Sequence, residues 1–505
     1  MARRSGGCNA DDGDWTEGGM MRLERWLVGA GVRWDRRAVE LVDAGSPRAA
    51  LVAGGAGVLA AADLLEGQVI ARISKRAVLS AAGSPHAEAI NEAELDGNAA
   101  LAAALMLEAA KRGRSAWAGY IDSLPRGMAA ELPSGWCEQD VALLAGTELA
   151  GAPDADREEC AQEYHEHIVP LVTRLLAEEP ALDPSLLRQE HYAEALALVT
   201  SRQFHVDDFH GHAMVPFGDI LNHKTARLNV DLQEAVVSRP ACEGGEEDSE
   251  EDEESVEDEL DGEDRATAEA EERRNHSAAV GSLVPSLSAR AGRSTRASGA
   301  AGMDVTFVDV GDALQVVTHR SLRRGLEVFN CYGEIASGTL LHDYGFVPDA
   351  NPFDIVNIET SDLIEACAEE FGPRLVRARL RALGDVSALP EYIELGRLDE
   401  AGLPAETVGV VKALCGDSDE RCDELSRGER RALAASVAER ESAYGRSGGA
   451  AGDRRRAIAA LDCGNVHAAQ AFRLAAAERS VLETWMDVLN TGGGAGAKRK
   501  RRAIT

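Results

Sequence analysis

A long acidic stretch of low complexity, residues 240–303, most constrains how this chain can fold. Its first part, residues 243–272, holds 18 acidic residues and one basic residue, Arg265, a balance of −17 within a whole-chain net charge of −33. The remainder is rich in Ser, Gly, Ala and Arg. Because such a stretch cannot bury enough apolar surface to fold alone, we expect it to be disordered. The folded parts therefore lie on either side of it.

The apolar pattern predicts strands first, then helices, then strands again. Residues 51–74 have the pattern of short strands joined by glycine turns. Apolar residues then recur at i, i+3, i+4 and i+7, which predicts helices over 91–113, 156–179 and 187–202. Residues 304–333 alternate like a pair of strands, and the pattern is helical from 349 to about 489. The fold class is therefore expected to be α+β.

Bulk properties exclude several classes of protein. No run of 18 apolar residues exists, and the N-terminal residues lack the apolar core of a secretory signal, so neither a membrane span nor secretion is expected. The nine cysteines include no CxxC pair, which argues against a metal site or a disulfide framework. The acidic balance disfavours direct nucleic-acid binding and favours a basic protein partner. The cluster KRKRR at 498–502 is similar to a nuclear-localisation signal.

Four short segments occur in a fixed order along the chain. They are GAG at 55–57, SRQF at 201–204, DILNH at 219–223, and FNCYG at 329–333 followed by LLHDYGFV at 340–347. Each is weak alone, because GxG triplets and Asn-His pairs are common in turns. As an ordered set they resemble the SET-domain protein methyltransferases. The subfamily they resemble includes the Rubisco large-subunit lysine methyltransferases and the ribosomal lysine methyltransferase 4 type.

This resemblance implies a domain organisation. A disordered tail (1–19) would precede a β-rich SET domain with a pseudoknot (20–348). That domain would hold a helical insert at about 88–200, and the acidic stretch at about 240–303 would be an insertion within it. An all-helical substrate-binding domain (349–490) and a basic tail (491–505) would follow. A long flexible insertion costs only a few kcal/mol to close, so the fold can tolerate it.

The resemblance also implies roles for individual residues. Tyr332 would be the catalytic residue, and S-adenosylmethionine would be the methyl donor, with no metal. The residues expected to bind the donor are Gly55, Ala56, Gly57, Arg202, Asn222, His223 and Tyr332. Those expected to bind the substrate lysine are Ser201 and Asp219, through backbone oxygens, and the aromatic residues Tyr344 and Phe346. The sequence departs from the pattern at Gly54, where some relatives carry Glu, and at Cys331, where Thr is usual.

The chemistry of methyl transfer limits what these residues must do. A free lysine with a pKa of about 10.4 is less than about 0.1% neutral at pH 7, yet only the neutral amine attacks. Burial and the positive sulfonium both lower that pKa, so no strong side-chain base is required. We therefore expect Tyr332 to orient the amine and to stabilise the transferring methyl electrostatically, rather than to act as a general base.

Alternative functions remain open at this point. An inactive SET-fold module that recruits basic partners is one, although the intact Asn222, His223 and Tyr332 argue against it. A protein-histidine methyltransferase is another, although the segment 340–347 favours lysine. We expect a monomer that acts on a basic ribosomal or nuclear protein, without nucleic-acid or membrane contact. A nuclear location is expected, a cytoplasmic one is the alternative, and a chloroplast location is disfavoured.

Overall fold

Two hydrophobic cores organise the part of the chain that the structure describes. The structure is a computed structural model, and it describes residues 17–43, 45–225, 304–383, 389–398, 402–415, 424–445 and 448–491. Most buried apolar residues between Met20 and Val328 form one core, and those between Val356 and Leu489 form the other, while Val42, Val52 and Leu59 make a small separate cluster. Three segments discussed above lie outside the described residues: the acidic stretch 240–303, including its first part 243–272, residues 1–16 of the expected tail, and the cluster 498–502. The domain boundaries given above stay a prediction.

The first core is built around short antiparallel strands. These are β1 (Arg33–Trp34), β2 (Val39–Val42), β3 (Gly57–Ala60), β4 (Val69–Ser74), β5 (Leu79–Ser80), β6 (Gln203–His205), β7 (His212–Met214), β8 (Val305–Asp309) and β9 (Ala313–Thr318). They form three sheets with the orders β1-β4-β9-β8, β5-β7-β6 and β2-β3. In the largest sheet Arg72 of β4 pairs with Gln315 of β9, so one sheet joins residues from both sides of the acidic stretch.

Helices from the first half of the chain cover these sheets. They are α1 (Glu17–Gly29), α2 (Ala87–Glu92), α3 (Gly97–Ala110), α4 (Ala118–Ile121), α5 (Met128–Glu131), α6 (Glu138–Val141), α7 (Ala152–Glu163), α8 (Val169–Glu178) and α9 (Gln189–Arg202). Nearly every residue of α3 is buried, as its all-round apolar sequence requires. The helix predicted over 91–113 is broken between α2 and α3, where Glu94 has a φ of +56°. A π-helical turn, Tyr164–Ile168, joins α7 to α8.

Two distant segments cross beside β3 and define the position of the candidate site. The backbone N–H of Val328 donates to the carbonyl of Val58 at 2.8 Å, and that of Asn330 donates to the carbonyl of Asn222 at 2.8 Å. His223 and Asn330 form a parallel bridge. The 55–57, 219–223 and 329–333 segments are thereby brought together by backbone hydrogen bonds.

The second core consists mainly of helices. They are α10 (Ser337–Tyr344), which leads into this region, α11 (Thr360–Phe371), α12 (Pro373–Leu383), α13 (Ala405–Cys415), α14 (Arg427–Ser442), α15 (Gly449–Asp462) and α16 (Val466–Thr491). The helical pattern predicted this region correctly with one amendment. A two-stranded antiparallel sheet, β10 (Val356–Glu359) with β11 (Tyr392–Leu395), packs among the helices, so the region is not all-helical. Both strands are too short to stand out against a dominant helical periodicity.

A buried polar network joins the helical insert to these later helices. Arg440 of α14 donates to the carbonyl of Gly146 at 2.6 Å and to the carboxylate of Glu148 at 2.9 Å. The hydroxyl of Tyr444 donates to Glu478 at 2.7 Å, and Glu478 also accepts from the backbone N–H of Glu148 at 3.1 Å. Because buried charges require partners, this network fixes the two regions against each other. Among the described residues, no helix is long and apolar enough to cross a membrane.

Candidate active site

The loop before β3 is tightly packed and requires glycine at two positions. Residues Ala53–Gly55 form a 3₁₀ turn that leads into β3. Gly55 has a φ of +76°, a conformation that residues with a Cβ rarely adopt. A Cβ added at Gly57 would lie 2.8 Å from Glu327 Oε1 and 2.9 Å from Asn222 Nδ2. Glycine is therefore required at 55 by conformation and at 57 by space.

Asn222 and Glu327 together hold this loop. The side-chain amide of Asn222 donates to the carbonyls of Ala53 and Ala56, at 2.7 Å each, and to Glu327 Oε1 at 2.7 Å. Glu327 Oε2 accepts from the backbone N–H of Ala53 at 2.8 Å. Burial raises the pKa of Glu327, and its hydrogen bonds with Asn222 and Ala53 oppose that rise. The side-chain N–H groups of Asn222 thus donate within the protein, which leaves Oδ1 as the side-chain atom that can accept from a ligand.

His223 lies between this loop and an aromatic cluster. Its Nδ1 accepts from the backbone N–H of Tyr332 at 3.1 Å, and its Nε2 lies 2.9 Å from the hydroxyl of Thr225. Burial lowers the pKa of His223 to about 4, so the ring is neutral near pH 7. Its ring centroid is 5.0 Å from that of Tyr332 and 5.9 Å from that of Phe346. His223 therefore acts as a neutral acceptor that orients the backbone of Tyr332.

Tyr332 has its hydroxyl directed at a backbone carbonyl. The hydroxyl donates to the carbonyl of Leu221 at 3.2 Å. Burial raises the pKa of Tyr332 to about 12; the positive charge of Arg202 opposes the rise, while Asp219 and Glu327 add to it. The phenol is therefore protonated at neutral pH. Because its proton is committed to Leu221, the oxygen lone pairs are left to accept from an amine or a polarised methyl group.

Tyr344 and Phe346 complete the aromatic cluster. The rings of Tyr332 and Tyr344 stack with their centroids 4.6 Å apart and an interplanar angle of 26°, and Phe346 meets Tyr344 edge-on at 6.5 Å. Helix α10 ends between them at Gly345, whose φ is +79° and whose N–H donates to the carbonyl of Leu341 at 3.0 Å. This glycine cap turns the chain so that both rings face the same side. All three rings are partly exposed, as the walls of an open channel would be.

Arg202 and Asp219 meet at the edge of the same site. Arg202, the last residue of α9, donates through Nη1 to the backbone carbonyl of Asp219 at 3.1 Å. The carboxylate of Asp219 accepts from the hydroxyl of Tyr120 at 2.6 Å. Burial raises the pKa of Asp219, while Arg202 and Tyr120 counter that rise. The hydroxyl of Ser201 donates to the carbonyl of Ala197 in its own helix at 2.8 Å, so its proton is already engaged.

The structure brings the sequence-predicted residues into two adjoining groups. The loop side consists of Gly55, Ala56, Gly57 and Asn222. The other side consists of Tyr332, Tyr344, Phe346, Arg202, Ser201 and Asp219, and His223 lies between the two sides. The roles assigned to these residues stay predictions.

Sequence reasoning missed Glu327 and Tyr120. Glu327 lies five residues before Tyr332 in an alternating strand-like segment, and Tyr120 lies in the helical insert, 99 residues from its partner Asp219. An inward-facing acid within an apolar run was the only signal for Glu327. For Tyr120 there was none, because its contact is made by tertiary structure alone.

Sequence comparison shows a similarity to a lysine methyltransferase. No protein-family model matches the chain. The chain is similar to ribosomal lysine N-methyltransferase 3 of Saccharomyces cerevisiae, with 27% identity over 331 residues, covering 60% of this chain and 59% of that protein. The chain thus matches about three-fifths of the length of this curated relative. The described residues contain no cluster of His, Cys, Asp and Glu suited to hold a metal ion.

Comparison with solved structures shows the fold. The SET domain of LSMT bound to lysine and AdoHcy matches with a TM-score of 0.57 at 16% identity, over 94% of this chain and 91% of that one. Rubisco LSMT bound to AdoMet matches with a TM-score of 0.56 at 16% identity, over 94% and 92% of the two chains. The chain therefore has the SET fold with a helical C-terminal region, and the α+β prediction is confirmed.

Proposed function

We propose that this chain is an S-adenosylmethionine-dependent protein-lysine N-methyltransferase. One observation carries the proposal: the Tyr332 hydroxyl lies within an aromatic cluster that adjoins, through His223, the glycine loop held by Asn222. The proposal rests on this adjacency, because a methyl donor on the loop and a lysine among the aromatic rings would have to meet near the Tyr332 oxygen. The SET fold and the similarity to a curated lysine methyltransferase support the same reaction.

The described residues can perform each task that the reaction needs. The loop at 53–57 presents backbone groups to the donor, and Asn222 Oδ1 can accept from its ammonium group. Tyr344 and Phe346 enclose the aliphatic part of the lysine, and the oxygens of Tyr332 and Asp219 can orient its amine. In the transfer a carbon–nitrogen bond forms as the carbon–sulfur bond breaks. The amine loses its proton to solvent before attack, which leaves Tyr332 neutral throughout.

A single substitution tests this proposal. Tyr332→Phe removes the hydroxyl and keeps the aromatic stack with Tyr344, so we expect donor binding by calorimetry to change little. Transfer of a radiolabelled methyl group to protein should fall by about 10²-fold or more, as when an electrostatic donor or acceptor is removed from a catalytic site. Tyr164→Phe is the matched control, because its hydroxyl also donates to a backbone carbonyl, that of Leu187, at 2.9 Å.

Two outcomes would contradict the proposal. Full transfer by Tyr332→Phe would remove the catalytic role of Tyr332. Donor binding by the wild-type chain without transfer to any fraction of a cell lysate would favour a binding module instead. Amino-acid analysis of the labelled product separates methyl-lysine from methyl-histidine and so tests the histidine alternative.

The substrate is proposed to be a basic ribosomal or nuclear protein. The support is the charge of residues 243–272, whose balance of −17 would attract a basic partner at low salt. Replacing the acids of this segment by Asn and Gln keeps its length and removes its charge. We expect weaker and less salt-dependent substrate binding, and an unchanged affinity would contradict the idea.

A nuclear location is proposed from the KRKRR cluster at 498–502. Fluorescent fusions of the full chain, with this cluster intact or changed to Ala, test it directly. Exclusion of the intact fusion from the nucleus would contradict the proposal and favour the cytoplasm, and equal distributions of the two fusions would contradict a role of the cluster.

A further inference from the structure

A buried tyrosine–carboxylate pair adjoins the lysine side of the candidate site. Tyr120 of α4 is 1% exposed, and its hydroxyl donates to Asp219 Oδ2 at 2.6 Å. The two residues are 99 positions apart, so the bond ties the helical insert to the segment that carries the predicted lysine-facing carbonyl. No role had been assigned to Tyr120 from the sequence.

Asp219 is held at two points by two different elements. Its carboxylate accepts from Tyr120, while its backbone carbonyl accepts from Arg202 Nη1 at 3.1 Å. The residue lies on the short 3₁₀ turn Gly218–Ile220, directly after Phe217, whose φ of +80° is unusual for a residue with a side chain. A turn that begins in such a conformation persists only where its surroundings hold it.

The polar groups around Asp219 are incompletely paired. Asp219 Oδ1 and Arg202 Nε are both buried and have no hydrogen-bond partner among the described residues. The Tyr120 hydroxyl contributes a short side-chain hydrogen bond to this buried carboxylate, which also accepts from the backbone N–H groups of Phe217 and Asp219. Without it, the carboxylate would be driven to find water or a new partner, and the turn that carries it would move.

We propose that Tyr120 is a positioning residue for the lysine site, which fixes the Asp219 carboxylate and thereby the Asp219 carbonyl that receives the lysine amine. This inference rests on the proposed function. It assigns Tyr120 no contact with substrate or donor. The loop at 53–57, Asn222 and His223 make no hydrogen bond with Tyr120. Of the residues expected to bind the donor, Arg202 is linked to Tyr120 through Asp219. Because that link runs through the Asp219 backbone carbonyl and leaves the loop untouched, we expect donor binding to change little when the Tyr120 hydroxyl is removed.

Tyr120→Phe isolates the hydroxyl. The ring keeps its stacking on Trp26, whose centroid lies 5.8 Å away. We expect an unchanged donor Kd by calorimetry and a loss in kcat/KM of at least about tenfold, because small misplacements of a reacting group carry losses of this size. Tyr192→Phe is the matched control: Tyr192 is fully buried, its hydroxyl donates to Glu163, and it lies ten residues before Arg202 on α9.

A double-mutant cycle shows whether Tyr120 acts through Asp219. Asp219→Ala removes the carboxylate and keeps the backbone carbonyl. If the inference is right, Tyr120→Phe adds little to the loss caused by Asp219→Ala. Additive losses, or equal losses of activity in Tyr120→Phe and Tyr192→Phe, would overturn it. Thermal unfolding of each variant shows whether a loss of activity is merely a loss of fold.

A second measurement keeps the inference separate from the proposed function. Lysine amide is titrated into wild type and Tyr120→Phe in the presence of S-adenosylhomocysteine. If wild type transfers no methyl group, the proposed function fails, yet weaker lysine binding by Tyr120→Phe still supports the positioning role. Equal affinities of the two proteins for lysine amide, or no lysine binding by either, would overturn the role.

Discussion

Gly57→Ala is the sharpest available test of the glycine loop. Because Gly57 has no positive φ, alanine brings no backbone strain, and its effect is one of space alone. The new Cβ would lie 2.8 Å from Glu327 Oε1, 2.9 Å from Asn222 Nδ2 and 3.1 Å from Val52 Cβ. The first two atoms are hydrogen-bonded to each other at 2.7 Å. They can make room only by moving away from the loop, so the methyl group disturbs the hydrogen bonds with which Asn222 and Glu327 hold the loop.

The size of the effect follows from these contacts. Overpacking a well-filled site costs about 1–3 kcal/mol. Loss of a hydrogen bond to a charged group costs about 1.5–3 kcal/mol. We expect the free energy of unfolding to fall by about 2.5–6 kcal/mol if both effects apply in full. The donor affinity should fall by about 10- to 100-fold, since about 1.4 kcal/mol corresponds to a factor of ten.

Two assays check this prediction. Urea unfolding followed by circular dichroism gives the stability, and calorimetry gives the donor Kd. Gly409→Ala is the matched control, because Gly409 lies in α13 with nothing within 4 Å of the added Cβ. That control should keep or slightly raise the stability. A wild-type Kd and stability in Gly57→Ala would refute the argument that the Asn222–Glu327 bond and the loop are packed against Gly57.

Two further predictions concern pH. Burial lowers the pKa of His342, but hydrogen bonds with Asp156 and Asp343 outweigh it and raise that pKa from 6.5 to about 10. The stabilising contribution of His342 is therefore full below about pH 6.5 and is lost as the pH rises towards 10. The difference in stability between wild type and His342→Gln, measured by urea unfolding, should shrink over that range. A constant difference would contradict the prediction. The contribution of His223 to stability depends on pH in the opposite direction, because burial lowers the pKa of His223 to about 4. This contribution is lost as the pH falls from 6.5 towards 4. His223→Asn keeps an acceptor and does not titrate, so its free energy of unfolding should depend less on pH in that range. An equal slope of stability against pH in both proteins would contradict the prediction.

Local patterns were sufficient to predict most of the secondary structure. The alternation at 304–333 predicted the strand pair β8–β9, and helical periodicity predicted α9 and α16, because each pattern extends over several turns or residues. The pattern failed where elements were short or broken. It missed β10 and β11, four residues each, and the interruption between α2 and α3. The two strands and the break between the helices are each too short for a change in the apolar period to be recognised against the neighbouring helical pattern.

The sequence by itself identified, through a resemblance, the residues that are proposed for the methyl-transfer site. Glycines 55 and 57, Asn222, His223, Tyr332 and the aromatics after α10 stand in an order that a resemblance can recognise. Their chemical types already limit their roles: small residues for close approach, an amide for pairing, and a phenol for a neutral acceptor. This information is local, because it depends on residue type and on neighbours along the chain.

Only the tertiary structure decided how these residues are held. Glu327 was identified as the partner of Asn222 and of the loop because chain segments 105 residues apart cross there. Tyr120 was identified as the partner of Asp219 because a helical insert folds back over the site. The side-chain N–H groups of Asn222 proved to donate to the loop carbonyls of Ala53 and Ala56 and to Glu327. Such pairings depend on which distant segments meet, and that outcome is set by burial of the whole core rather than by any local pattern.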